Sequence, residues 1–310
     1  MELREQLNET ETARAFSKQA AIFDAYDAGN TINQYKRQRV REHVLRYMGA
    51  DPAVGMGRGR SRERPFERTT GMGEAEGAVS GAVGREPVRS ILELNAGTGI
   101  DAAFFAGKGY RVHATDIAEG MQENLRDKMQ LQGLSDKVTT ELCSFTALDT
   151  LRQRGPYDLI FSNFAGLNCT GELDKVLRSF APLVKPGGQV TLVILPGFCL
   201  WETMLFLRGR WRTAFRRPIS GSKGTQSHVE GHYFRCWYYS PSYVVRALKD
   251  SFDLLSVEGL CTIAPPSYIE HFAEKHPGAW RLLRKGEERW KQRWPWKSIG
   301  DYYIISFRKR

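Results

Sequence analysis

Residues Ile91 to Asp101 read Ile-Leu-Glu-Leu-Asn-Ala-Gly-Thr-Gly-Ile-Asp and contain the clearest structural signal in the chain. An apolar run ends at Glu93, small residues follow at Asn95–Gly99, and a helix is predicted to begin near Asp101. A second apolar run then ends in Asp116. Strand, tight turn, helix, strand and carboxylate, in this order, are typical of a nucleoside-binding βαβ unit. Small residues let the backbone approach the ligand, and the carboxylate accepts hydrogen bonds from both ribose hydroxyls.

Two cofactor classes use this layout. Gly97, Gly99 and Ala102 satisfy the Gly-x-Gly-x-x-Gly/Ala pattern of a dinucleotide site. A second pattern begins at Glu93 and runs Glu-x-Gly-x-Gly-x-Gly, with Asn95 at the first glycine position. It resembles motif I of the class I S-adenosylmethionine-dependent methyltransferases. Asparagine tolerates a positive φ better than other non-glycine residues, so the turn is expected to keep its shape.

Later segments extend the resemblance over roughly residues 90–195. Asp116-Ile117 is similar to the family's ribose-binding acid and its adenine-packing neighbour, Tyr157–Phe164 to its fourth strand, and Leu183–Gly188 to the turn into its fifth strand. The resemblance implies an α/β fold with a doubly wound, seven-stranded, mostly parallel sheet whose last strand is antiparallel. Tyr302–Phe307 fits that last strand. A dinucleotide-dependent enzyme is the structural alternative.

The remaining sequence is organised around this Rossmann-like methyltransferase fold. Residues 1–50 carry apolar side chains at helical spacing and are expected to form an N-terminal helical cap. Residues 51–88 are rich in glycine, arginine and glutamate, so we expect a disordered or flexible insertion. Residues 89–310 form the expected catalytic domain, with substrate-covering inserts at 208–240 and 265–300. Strands are predicted at 90–95, 111–116, 137–143, 157–162, 189–195, 252–260 and 301–308, and helices at 101–108, 118–133, 171–184, 198–208 and 241–250.

The resemblance also implies a cofactor site for S-adenosyl-L-methionine, and in-line methyl transfer without a required metal. The turn is expected to lie against the cofactor, Asp116 to hold the ribose diol, and Ser144-Phe145, where serine replaces the usual acid, to contact the adenine. Tyr26 and Tyr35 flank a break between N-terminal helices that closes over the cofactor in relatives. The expected cofactor-binding residues are Glu93, Asn95, Ala96, Gly97, Thr98, Gly99, Asp116, Ile117, Met121, Ser144, Phe145, Asn163, Phe164, Tyr26 and Tyr35.

A general base is harder to place. His228 and His232 are four residues apart and share a face if their segment is helical, although neighbouring glycines favour a loop over the active site. Either histidine is a candidate base, with His232 the stronger one. The spacing also fits a metal pair, but no third ligand accompanies it, so no metal is predicted.

The acceptor is expected to be a small molecule methylated on oxygen, or on nitrogen or carbon. Methyltransferases that act on base amines carry Asn/Asp-Pro-Pro-aromatic after the fourth strand, whereas this chain has Asn163-Phe164-Ala165-Gly166. The aromatic-rich inserts favour an apolar or planar acceptor and the arginines an anionic one. Two alternatives stay open: an RNA- or protein-directed methyltransferase, and a cofactor-binding scaffold without transfer.

Charge, tryptophan and cysteine content give further expectations about partners, metal sites and compartment. The 310 residues carry a formal net charge of +10, which favours anionic partners, although no strong nucleic-acid motif is present. Trp290, Trp294 and Trp296, among lysines and arginines, suggest peripheral contact with an anionic membrane. Five scattered cysteines without a Cys-x-x-Cys pair indicate neither a disulfide framework nor a zinc site. The polar N-terminal residues are unlike a signal peptide and predict a cytoplasmic protein. The oligomeric state is not predicted.

Overall fold

The computed structural model describes residues 2–49 and 89–310. The insertion predicted at 51–88 therefore lies outside the described residues. The α-helices are α1 (Glu2–Ala28), α2 (Thr31–Met48), α3 (Ile100–Gly107), α4 (Glu119–Leu131), α5 (Leu173–Arg178), α6 (Leu200–Met204), α7 (Trp211–Ile219), α8 (Pro241–Leu248), α9 (Phe272–Lys275) and α10 (Pro277–Trp290). The strands are β1 (Ser90–Leu94), β2 (Arg111–Asp116), β3 (Val138–Leu142), β4 (Tyr157–Ser162), β5 (Val184–Ile194), β6 (Thr225–Val229), β7 (His232–Cys236), β8 (Phe252–Leu260) and β9 (Tyr302–Lys309). No helix within the described ranges has the length and apolar character needed to cross a bilayer.

The main sheet has seven strands in the order β3-β2-β1-β4-β5-β9-β8. β1 pairs in parallel with β2 and with β4, whereas β9 is antiparallel to both β5 and β8. The strand order reverses beside β1, and in open α/β sheets such a reversal leaves a crevice at the carboxyl ends of the strands. The predicted Rossmann-like fold with an antiparallel last strand is confirmed.

Each face of this sheet is covered by helices over its own apolar layer. On one face, α2, α3 and α4 contribute Val40, Phe105, Leu125 and other side chains that are almost fully buried. On the other face, α5 and α8 pack residues such as Leu177 and Val244 against the strands. The burial of both faces explains why the central strands read as continuous apolar runs rather than as alternating patterns.

The start of β5 differs from its prediction. The strand was expected at residue 189, after a turn, but pairing with β4 already begins at Val184 opposite Tyr157. The register then shifts, because Leu159 pairs with Gln189. Gly187 has φ +74° within this irregularity. The expected turn is thus a bulge inside the strand, where glycine supplies the left-handed backbone.

The 208–240 insert contains a helix and a β-hairpin that the sequence reading missed. α7 occupies its first part, and β6 and β7 pair with His228 opposite Tyr233 and Val229 opposite His232. Glu230 and Gly231 both have positive φ, as a two-residue hairpin turn of the primed type requires. The helical or loop interpretation of the His228–His232 segment is therefore wrong, and the two histidines do not share a helix face.

Helix α1 lies across the loops that follow the carboxyl ends of β1, β2, β3 and β4. Its tethers to these loops are Asp24 to Thr98 at 2.5 Å, Ser17 to Gly120 at 3.3 Å, Glu9 to Ser144 at 2.7 Å and Asn8 to the carbonyl of Cys169 at 2.7 Å. The β6–β7 hairpin packs against α1 from outside, with Phe16 and Phe234 rings 5.7 Å apart. Helix α1 therefore covers the crevice that the strand order creates.

Candidate functional site

The turn after β1 is held open by residues with positive φ. Asn95, Gly97 and Gly99 have φ values of +47°, +56° and +76°. The Asn95 side chain accepts a hydrogen bond from Ser162 Oγ at 2.6 Å and donates one to the backbone carbonyl of Asn163 at 2.9 Å. These bonds to the end of β4 offset the cost of left-handed backbone at a non-glycine residue, and they explain how asparagine serves at a position where the motif has glycine.

Asp116 closes the turn from the neighbouring strand. Its Oδ2 accepts the backbone N–H of Gly97 at 2.8 Å and its Oδ1 accepts that of Ala118 at 2.9 Å. Burial raises the pKa of this carboxyl, and the bonds from Ala118 and Gly97 oppose the rise. Each carboxylate oxygen keeps a free lone pair for a ligand after one backbone bond. The acid is thus fixed in place and still able to accept hydrogen bonds from a diol.

A cavity of about 150 Å³ lies between this turn and α1. Eight of the residues expected to bind the cofactor line it, namely Asn95, Gly97, Asp116, Ile117, Met121, Phe145, Asn163 and Phe164. Gly166 and Cys169, from the loop after β4, line it as well. The structure therefore brings the loops after β1, β2, β3 and β4 to one partly open cavity beneath α1.

The roof of the cavity consists of residues that the sequence analysis missed. Helix α1 contributes Glu9, Thr12, Phe16 and Phe23 to the lining. Their spacing of three, four and seven residues places them on one face of the helix. That pattern is visible in the sequence, but charged residues between them obscure it. The roof thus combines two polar side chains, Glu9 and Thr12, with two aromatic ones, Phe16 and Phe23.

Three other expected residues lie next to the cavity rather than on it. Ala96 and Thr98 are buried within the turn. Gly99 begins α3, and a Cβ placed there would meet Leu125 Cγ at 2.6 Å. This glycine therefore permits close packing of the start of α3 on α4.

Glu93 is also placed away from the ligand space, beneath the turn. It is 3 % exposed, and its Oε2 has no hydrogen-bond partner among the described residues. Nearby, Asp101 accepts hydrogen bonds from Arg37, from Arg41 at 2.8 Å and from Asn163 at 2.8 Å. Burial raises the pKa of Asp101, but Arg37 and Arg41 outweigh it and hold the pKa below its usual value.

The pKa of the neighbouring Glu93 shifts in the opposite direction from that of Asp101. Burial, and then the charge of Asp101, raise the pKa of Glu93 well above its usual 4.5. The two acids of this buried pair thus have pKa values shifted in opposite directions, upward for Glu93 and downward for Asp101. Of the two acids Glu93 and Asp116, Asp116 is the one that lines the cavity.

Four expected residues lie elsewhere. Tyr26 is 55 % exposed, and Tyr35 packs edge-on against Trp280 with ring centroids 5.2 Å apart. His228 is exposed beside Tyr233, while His232 Nδ1 lies 3.1 Å from Glu11 Oε2 on the outer side of α1. Neither of the expected tyrosines lines the cavity, whereas Phe16 and Phe23 of α1 do.

Comparison with known proteins gives an independent description of this region. Residues 91–188 match a family model described as a methyltransferase domain. A stretch of 142 residues, 42% of this chain, is 31% identical to the hybrid PKS-NRPS synthetase mycA of Thermothelomyces thermophilus, and it covers 3% of that protein. A stretch of 128 residues, 36% of this chain, is 24% identical to methyltransferase GfsG of Streptomyces halstedii and covers 45% of it. The matched stretches thus span less than half of the length of either relative. The solved CcbJ methyltransferase of Streptomyces caelestis superposes with a TM-score of 0.49 at 19% identity, covering 72% of this chain and 90% of that one.

Proposed function

The chain contains a class I S-adenosylmethionine-dependent methyltransferase domain, and from this premise we propose that it transfers the methyl group of S-adenosylmethionine to a small-molecule acceptor. The observation that carries the proposal is the position of Asp116, a buried carboxylate hydrogen-bonded to the glycine turn and facing a cavity that α1 covers. When bound, S-adenosylmethionine supplies a methyl group that its positive sulfur has already activated.

The residues present fit this cofactor. Gly97 has positive φ, and a Cβ built there would come no closer than 3.9 Å to Met121 Sδ, so the backbone at this point is open to the cavity. Asp116 accepts hydrogen bonds and cannot donate them when ionised, which matches a ribose diol. Ile117 and Met121 offer apolar surface beside that acid. We propose that these residues hold the adenosyl portion.

The acceptor is proposed to bind at the other end of the cavity. β2 and β4 lie on opposite sides of β1, so Asp116 and the loop after β4 are separated by the width of that strand. The loop contributes Asn163, Phe164, Gly166 and Cys169. We propose that the carbonyl of the Asn163 side chain or backbone helps to hold the methionine portion, and that the acceptor atom approaches between this loop and α1.

The covered shape of the site favours a small acceptor over a folded macromolecule. Phe16 and Phe23 of α1 close one side of the cavity, and Phe164 closes part of another. A small planar or apolar molecule enters such a space whole, whereas a macromolecule has to insert a flexible side chain or a flipped base. The match to methyltransferase GfsG supports transfer chemistry but does not name an acceptor.

Positioning is proposed to supply most of the rate enhancement. Among the described residues, the titratable side chains that line the cavity are Glu9, Asp116 and Cys169. The hydrogen bond with Cys236, followed by burial, raises the pKa of the Cys169 thiol well above its usual value, so this thiol stays neutral. Holding two reactants in line lowers the barrier without an added base when the acceptor is already nucleophilic.

A labelling experiment tests the proposal. Purified protein is incubated with methyl-labelled S-adenosylmethionine and, in separate reactions, with small-molecule extract, bulk RNA or unrelated protein. Label in the small-molecule fraction with matching release of S-adenosylhomocysteine supports it. Label confined to RNA or protein, and lost steeply as salt rises, would identify a macromolecular acceptor instead. Binding of a nicotinamide dinucleotide in place of either adenosyl compound would overturn the assignment.

A further inference from the structure

Glu9 reaches from the roof helix to the loop after β3. Its Oε1 accepts hydrogen bonds from two hydroxyl groups, Ser144 Oγ at 2.7 Å and Thr146 Oγ1 at 2.5 Å. The backbone N–H of Thr146 also donates to Ser144 Oγ at 3.1 Å, which fixes the serine rotamer. One carboxylate oxygen of Glu9 is thereby held in place by a side chain–backbone network that spans more than a hundred residues of sequence.

The second oxygen of Glu9 is available to a ligand. Oε2 has no hydrogen-bond partner among residues 2–49 and 89–310, and Glu9 lines the same cavity as Asp116. Ile117 follows Asp116 directly, and Phe145 lies between the two hydroxyl residues that hold Glu9. When Asp116 holds the ribose of a purine nucleoside, Ile117 and Phe145 are available to pack on the faces of the purine. The carboxylate of Glu9 is then available to the edge of the ring.

Ser144 is hydrogen-bonded to Glu9, whereas its position after β3 predicts contact with the adenine. Its hydroxyl hydrogen is donated to Glu9, and its oxygen accepts from the backbone of Thr146. The serine hydroxyl is therefore already committed and is a poor donor or acceptor for a ligand. An acid is still present at this point of the cavity, but it comes from α1 instead of from the loop after β3.

We propose that Glu9 recognises the exocyclic amine of adenine, with Ser144 and Thr146 as positioning residues; this rests on the proposed function of the same cavity. A carboxylate accepts hydrogen bonds and donates none, so it pairs with a 6-amino group and repels the oxygen of a 6-oxo purine. Glu9 is thereby a specificity-determining residue that selects adenosyl over inosyl compounds.

The test compares two ligands that differ only at this position, S-adenosylhomocysteine and S-inosylhomocysteine, by titration calorimetry. The unmodified protein is expected to prefer the adenosyl compound by roughly 10- to 100-fold, because a site that pairs with a group rejects an analogue that leaves it unpaired. Glu9→Gln is expected to reduce this preference to about 3-fold or less, because the amide both donates and accepts. Glu9→Ala is expected to weaken the adenosyl compound while affecting the inosyl compound much less.

Glu11→Gln is the matched control, since Glu11 lies on the outer side of the same helix beside His232 and Arg14. It should leave both affinities and their ratio unchanged. Equal weakening of both ligands by the Glu9 variants would show a merely structural role and would overturn the inference, as would an unchanged ratio. If the unmodified protein bound neither compound, the proposed function itself would fail, which separates the two outcomes.

Discussion

Gly97 donates its backbone N–H to Asp116 Oδ2 over 2.8 Å, so the turn after β1 and the acid after β2 form one hydrogen-bonded unit. The carboxylate is placed by the same backbone that has to approach the ligand. This hydrogen bond positions the acid and the turn relative to each other without a ligand, and such preorganisation lowers the entropic cost of binding.

Asp116→Asn should weaken the binding of S-adenosylhomocysteine by about 1–3 kcal/mol, the usual cost of losing hydrogen bonds to a charged partner. The amide nearly preserves the shape of the side chain, so the fold is expected to survive. Calorimetric titration measures the change. Asp127→Asn, at an exposed position on α4, is the control. An affinity equal to that of the unmodified protein would remove Asp116 from the ribose site.

Gly120→Ala should loosen the roof. A Cβ at this position would meet the backbone carbonyl oxygen of Ser17 on α1 at 2.6 Å. Because backbone cannot rotate away, α1 has to shift, at a cost of about 1–3 kcal/mol. We expect faster proteolysis within α1 and weaker cofactor binding while the sheet stays folded.

The control for that substitution is Gly107→Ala, at the end of α3, where a Cβ would meet nothing within 4 Å. It should leave both proteolysis and binding close to those of the unmodified protein. Identical behaviour of the two variants would show that α1 does not need its close approach to α4.

Glu202→Gln should reduce the decrease in the free energy of unfolding that occurs at low pH. Glu202 is 1 % exposed and accepts hydrogen bonds from Arg216 at 3.0 Å and from Arg217 at 2.7 Å. Burial raises the pKa of Glu202, but these arginines outweigh it and hold the pKa below its usual 4.5. Stability from a lowered carboxyl pKa is complete above the unfolded value and is lost as pH falls through the folded one.

Urea unfolding across the range from neutral pH to below 4.5 measures this effect. The unmodified protein should lose more stability over that range than Glu202→Gln, which has no proton to take up at this position. Asp174→Asn, in the partly exposed pair with Arg178, should follow the unmodified protein. Parallel curves for Glu202→Gln and the unmodified protein would contradict the assignment.

His232→Ala should leave methyl transfer within about twofold of the unmodified rate, because a base has to lie within hydrogen-bond reach of the proton that it removes. The imidazole instead contacts Glu11 on the outer side of α1 and does not line the cavity. The measurement uses the acceptor fraction found by labelling. A rate loss of several orders of magnitude, with cofactor affinity intact, would return His232 to the role of general base.

The βαβ unit could be predicted because all of its information is local. Its 26 residues contain the apolar run, the turn from Asn95 to Gly99 and the acid at Asp116. The turn is recognisable because few residue types adopt its backbone conformation. The apolar run of β9 likewise predicts a strand from local sequence, although its position between β5 and β8 is set by the fold.

The roof could not be predicted in the same way. Glu9 and Ser144 are 135 residues apart, and neither position carries a local signal that links them. The hairpin was missed although Glu230-Gly231 is a two-residue turn between strand-like segments; the flanking histidines suggested a helical spacing instead. The positions of side chains on loops and lids depend on packing across the fold, whereas the backbone conformation of a turn depends on its own residues.

The position of α1 determines which fragments of this protein keep the complete cavity. The region that matches a methyltransferase domain, residues 91–188, contains the floor of the cavity but none of the four roof residues. A fragment trimmed to that region would lack the roof of the cavity, including the carboxylate of Glu9, and would also lose β8, β9 and part of β5. Minimal versions made for screening or for fusion to other proteins accordingly need the first helix in place, even though sequence comparison alone would mark it as dispensable.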